Sequence, residues 1–163
     1  MACACSTSSW RASRARRPQV RVDFYQLGSG AGPDSVIARI ATRLLDENER
    51  LLVVADDEAL LARLDRLLWE AGRTSFLPHG IAGGADDARQ PILLSTGIDA
   101  PNGARHLLIA DGVWREAAQH FERTFFLFDE AGRQPARAAW KALGSESERH
   151  YWANEDGKWV EKG

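Results

Sequence analysis

The segment LLVVADDEALLARLDRLLWEAG, residues 51–72, decides the fold class. It opens with an unbroken apolar run, Leu51–Ala55. A run this short, closed by acids, reads as a strand covered on both faces. From Asp56 onward the period changes. Leu60, Leu64, Leu67 and Leu68 recur at helical spacing, and Asp56, Asp57 and Glu58 stand in the first turn, where the helix dipole favours acids. Gly72 is the expected C-terminal stop. Trp69 closes the apolar stripe and is expected to face the core. A doubly covered strand feeding an amphipathic helix is half of a βαβ unit.

Outward from this unit the alternation repeats. VRVDFYQL (20–27) alternates as a strand, and VIARIATRLLDENER (36–50) is a helix with Asp34 or Ser35 as its expected N-cap. PILLS (91–95), HLLIA (106–110) and TFFLF (124–128) are further strands. VWREAAQHFER (113–123) reads as a helix, as does EAGRQPARAAWKALG (130–144), kinked or begun at Pro135. The C-terminal RHYWANEDGKWVEKG predicts a hairpin turning at Glu155–Gly157. The predicted architecture is α/β: three layers, a mostly parallel sheet flanked by helices.

A chain of 163 residues with 44% apolar and 27% charged residues has the composition of one globular domain. Its net charge of −2 offers no global attraction to nucleic acid or anionic membrane, so any such contact must come from a local patch. No apolar run approaches the roughly 20 residues of a membrane span. The only cysteines, Cys3 and Cys5, cannot staple a core, which fits a reducing cytoplasm. Residues 1–19 stand apart: acid-free, Arg- and Ser-rich, with the composition of an organellar transit peptide but nothing periodic that could fold. They are expected to be an irregular tail or an upstream misreading of the start, with residues 20–163 forming the single domain.

Most motif tests fail. GSGAGP (28–33) follows the first strand as a phosphate-binding turn would, but Pro33 stands where GxGxxG needs glycine, and no Gly-Lys-Ser/Thr exists. Asp56 and Asp57 follow a buried strand, where α/β enzymes place acids, yet an ordinary N-cap and first turn is the better reading of them. His79, His106, His120 and His150 are scattered, and no Cys/His spacing suits a metal. One constellation is richer. Arg133, Arg137 and Trp140 are spaced by four and three on one predicted helix, with Lys141 adjacent. That spacing stacks them along one face. Guanidinium forks beside an indole suit the acidic end of a peptide; a solvated basic face with Trp140 half-buried fits the pattern equally well.

The motifs FYQL (24–27), VVADDEALLARLDRLLW (53–69), SFLPH (75–79) and ARAAWKAL (136–143), in this order, resemble the chi subunit of bacterial DNA polymerase III holoenzyme across residues 20–163. The resemblance implies a nucleotide-binding-like topology without a nucleotide site, no enzymatic activity of its own, and no cofactor or metal. It implies a clamp-loader accessory that joins two partners in DNA replication: the acidic C-terminal tail of the single-stranded-DNA-binding protein, ending in Pro-Phe, and the psi subunit. By the same resemblance the tail site comprises Arg133, Arg137, Trp140 and Lys141. Trp140 and Arg133 stand where relatives also carry Tyr and Lys. The psi surface includes Phe76, with Leu77 and Pro78 beside it; in a lineage without psi that surface is left for a helicase. Neither strong direct nucleic-acid binding nor membrane association is implied. The 1–19 extension departs from the family, whose members begin almost at the first strand; this favours Val20 or Val22 as the start. The alternative is an orphan α/β nucleotide-binding domain or enzyme using the Gly28–Gly32 loop with Asp56 and Asp57.

Overall fold

The computed structural model describes residues 19–28, 32–71 and 76–163. The N-terminal extension except its last residue, the inner part of the glycine loop and the expected helix stop at Gly72 lie outside the described residues. In chain order the elements are β1 Arg21–Gln26, α1 Pro33–Asp46, β2 Leu51–Val54, α2 Glu58–Ala71, β3 His79–Ile81, β4 Ile92–Ser95, β5 His106–Ile109, β6 Arg123–Phe128, α3 Arg133–Ala142, β7 Glu148–Glu155 and β8 Lys158–Glu161.

The strands form one sheet in the order β3-β4-β2-β5-β6-β1-β7-β8. Every neighbouring pair is parallel except β7 and β8. Strand alternation divides the core in two. Leu51 and Val53 face α1 and α2, packing with Ile37, Ile40, Leu61, Leu64 and Leu68. Leu52 and Val54 face the opposite side, with Phe24, Phe126, Phe128 and the Ala136, Ala139 and Leu143 stripe of α3. The result is the three-layer α/β sandwich that the apolar run at Leu51 predicts. The C-terminal hairpin also forms as read. Asp156 and Gly157 take φ of 50° and 84°, the paired positive values of a tight turn whose twist suits a hairpin.

Three local features differ from the sequence expectation. Helix α1 starts at Pro33, with Gly32 as N-cap, rather than behind Asp34 or Ser35; proline's fixed φ suits the first helical position. The 113–123 segment forms only a short 3-10 turn at Glu116–His120. Arg115 is extended, at φ −123° and ψ 127°, and its guanidinium is tied to Asp111, Asp56 and the Val113 carbonyl, which takes 113–115 out of any helix. Trp114, Ala118 and Phe121 still face inward, as helical spacing would have placed them. Third, the short edge strand β3 has no counterpart in the sequence reading.

At the β6–β1–β7 end a fully buried carboxylate joins three strands. Asp23 on β1 accepts hydrogen bonds from Arg123 Nε on β6 at 2.7 Å, from Arg21 Nη2 at 2.9 Å and from the Trp152 indole on β7 at 3.0 Å. Burial, the largest single influence, pushes this carboxyl up, but the bonds from Arg21, Arg123 and Trp152 and the charge of Arg123 outweigh it and hold it below its ordinary value. Because the folded value lies below the unfolded one, the stabilisation is complete above the ordinary carboxylate range and is lost as pH falls through the folded value. Asp23→Asn is expected to cost about 3 kcal/mol at neutral pH and to flatten the acid limb of stability, measured by urea denaturation over a pH series.

Candidate functional site

The amphipathic pattern of α3 turns Ala136 and Ala139 into the core and leaves its larger residues around a hollow. This pocket, about 330 Å³, is lined by Arg133, Ala136, Arg137 and Trp140 from α3, with Phe24 from β1, Phe128 from β6, Tyr151 from β7, and Lys162 and Gly163 after β8. The structure thus brings together the three residues that helical spacing stacked. Lys141 is exposed and outside the lining. Trp140 is braced edge-on by Phe24 at 5.1 Å, and the Arg149 guanidinium lies 5.0 Å over its ring while donating to its carbonyl at 2.7 Å. The Tyr151 hydroxyl bonds to Gln26.

The two arginines differ. Arg133 is engaged by Glu130 at 2.8 Å, whereas Arg137 is exposed and has no ion pair among the described residues. An unengaged guanidinium beside an apolar hollow suits a ligand with one carboxylate and one apolar side chain. Phe24, Phe128 and Tyr151, which build the floor, are absent from the sequence-derived site.

A second surface lies at the end of α2. Phe76 is 69% exposed and Trp69 59% exposed, and their rings meet at 5.8 Å. Trp69 is therefore not the core residue expected of it. One residue past Leu68 turns it about 100° around the helix, out of the stripe of Leu61, Leu64 and Leu68 and onto the His79 ring at 5.1 Å. Leu77, expected at the surface beside Phe76, is buried at 4% exposure. Chain alternation sends it inward, and it anchors the segment that displays Phe76; Pro78 is half-buried. His79, also buried, places its ring nitrogens against the Leu77 and Asp65 carbonyls at 2.6 and 3.1 Å.

A crevice lies at the carboxyl ends of β1, β5 and β6, the usual ligand position in open α/β sheets. Here Gly28, Gly32, Asp57, Asp111 and Asp129 line it, with Arg63, which stands 3.8 Å from Asp34, as the one basic residue of the lining. Asp57 accepts the Ala59 amide at 2.9 Å and Asp129 the Gly132 amide at 2.9 Å, so acids of the chain already occupy the amides that lead into α2 and α3. Asp56 is paired to Arg115 at 2.7 Å. Three aspartates against one arginine disfavour phosphate here, so the alternative nucleotide reading gains no support.

The family model described as DNA polymerase III chi subunit, HolC, matches residues 20–147. DNA polymerase III subunit chi of Pseudomonas aeruginosa is 35% identical over 92 residues, 55% of this chain and 62% of that protein. DNA polymerase III subunit chi of Escherichia coli K12 is 26% identical over 112 residues, 67% of this chain and 76% of that protein. The match to the first of these relatives thus spans about three fifths of its length.

The opposed burial of neighbours Phe76 and Leu77 can be measured directly. Leu77→Ala is expected to cost about 2–5 kcal/mol, while Trp69→Ala and Phe76→Ala are each expected to cost about 1 kcal/mol or less, in urea denaturation at unchanged m-value.

Proposed function

This chain belongs to the DNA polymerase III chi subunit family, and on that premise we propose that it is a non-catalytic accessory subunit of the replicative clamp loader, joining the acidic tail of the single-stranded-DNA-binding protein to psi. The observation that carries the reading is the α3 pocket. Arg137 stands unengaged at the rim of an apolar hollow walled by Trp140, Phe24, Phe128 and Tyr151. A terminal carboxylate takes Arg137 in a two-pronged bond, the side chain of the same terminal Phe fills the hollow, and the tail's other acids are drawn by Arg133 and Lys141. The exposed Trp69–Phe76 pair supports a second docking surface for psi, or for a helicase where psi is absent. Aromatic anchors of this kind dominate protein–protein contacts. The two surfaces lie on opposite faces of the sheet, and β3 and β1 are five strand steps apart; this separation supports a bridging role.

Titration of a labelled acidic peptide ending in Pro-Phe tests the reading. Arg137→Ala is expected to weaken binding by about 1.5–3 kcal/mol, and Arg133→Ala by less, since Arg133 must already share Glu130. Affinity is expected to fall as salt rises. Phe76→Ala is expected to abolish psi binding and leave the peptide within about 0.5 kcal/mol of its original affinity. Unchanged peptide binding by folded Arg137→Ala at low salt removes this site, and one substitution that disables both partners in a folded chain removes the bridge.

A further inference from the structure

A third hollow lies on the other face of β1, between α1 and the β6–β1–β7 end of the sheet. It measures about 320 Å³. Arg21, Arg39, Arg43 and Arg123 all line it, and no acid or lysine does. In a chain of net charge −2 this is a marked local concentration of cations. The rest of the wall is aliphatic and aromatic. Tyr25 and Trp152 are stacked at 6.1 Å and 12°, and Trp159 meets Tyr25 edge-on at 5.2 Å.

Two of the arginines are fixed from below. The buried Asp23 carboxylate is filled by Arg21, Arg123 and Trp152, so it orients these groups without being open to a ligand. The other two come from α1, four residues apart and therefore on one face. Arg39 is exposed and has no ion pair among the described residues, and Arg43 is held only by an exposed pair to Glu47 at 3.0 Å. Glu148 approaches Arg21 only to 3.8 Å. Exposed pairs of this kind are weak and yield readily to a stronger anion.

We propose that this pocket binds a nucleotide unit, with phosphate on the arginines and the base against Trp152 and Trp159. Several guanidiniums around one cavity match the many oxygens of a phosphate, and indoles offer faces to a planar base. An acidic peptide is the competing occupant, since β8, which contributes Trp159, is a free edge of the sheet; the four guanidiniums gathered with two indoles favour phosphate and base. The site is separate from both protein-docking surfaces. The phosphate and base can belong to a free nucleotide or to a single strand, and the same chemistry holds either.

The experiment uses the full chain at low salt, with fluorescein-labelled oligo-dT followed by anisotropy and thymidine monophosphate followed by tryptophan quenching. Binding of either ligand is expected, and Arg39→Glu/Arg43→Glu is expected to weaken it about tenfold or more. For the oligonucleotide, loss of two phosphate contacts is expected to lower the slope of log affinity against log salt by about 1.4, a readout that a merely structural role for these residues would not move. Arg137→Ala is expected to leave both ligands unaffected. Arg39→Gln/Arg43→Gln serves if circular dichroism shows the charge-reversed chain misfolded. Binding of the mononucleotide with the same arginine dependence identifies a free-nucleotide site; binding of the oligonucleotide alone identifies a strand site. The proposal is overturned if neither ligand binds, if binding ignores Arg39 and Arg43, or if an acidic peptide takes these arginines and nucleotides do not.

Discussion

The contact on which the geometry of this protein turns is the buried Asp23 carboxylate with its two arginines and indole. It ties β6, β1 and β7 together through side chains, at the end of the sheet where both candidate pockets lie. Buried ion pairs are poor sources of net stability, because desolvation offsets much of their Coulomb energy. What this one supplies is position. It sets the Trp152 ring against Tyr25 and holds Arg21 and Arg123 at a cavity wall. By fixing the same strand β7, it also holds Tyr151, on the opposite face, against the α3 pocket.

The charged groups lining the fold's habitual ligand position are mainly the chain's own acids. At the carboxyl ends of the strands, Asp57 and Asp129 accept amide hydrogen bonds leading into α2 and α3, and Asp111 is absorbed by Arg115. In an α/β scaffold whose crevice is charged mainly by its own acids, the candidate recognition surfaces lie elsewhere: on the face of α3, at the end of α2 and along the sheet surface. Fold and function separate cleanly here, as they do across the common α/β folds.

Much of this was legible from residue pattern. The apolar run at Leu51 predicted the doubly covered strand, and the spacing of Arg133, Arg137 and Trp140 predicted their common face. What could not be read was whatever depends on strand order. Phe24 and Tyr151 are 127 positions apart in the sequence, and only the parallel pairing of β1 with β7 makes them neighbours. The arginine pocket was illegible for the same reason: Arg39 and Arg43 are a visible pair, but nothing local announces that Arg123 and Trp152 converge on them. The 113–123 segment kept its helical pattern of inward residues and lost the helix itself, because Arg115 is captured by acids on neighbouring loops. Trp69 was misplaced by one residue's rotation at the margin of an apolar stripe.

Strand β1 serves as a party wall between two rooms. Its odd residues face the arginine cavity, with Arg21 and Tyr25 lining it and the buried Asp23 beneath them, and its even residue Phe24 belongs to the α3 pocket, with Val22 in the core beside it. Because side chains along a strand alternate with period two, a single inserted or deleted residue would move every occupant into the opposite room. Neither room can be rebuilt by sliding the wall. Sequence drift at either site is thereby confined to substitutions in place, and a length change in β1 carries a double penalty that the same change in the β7–β8 turn does not.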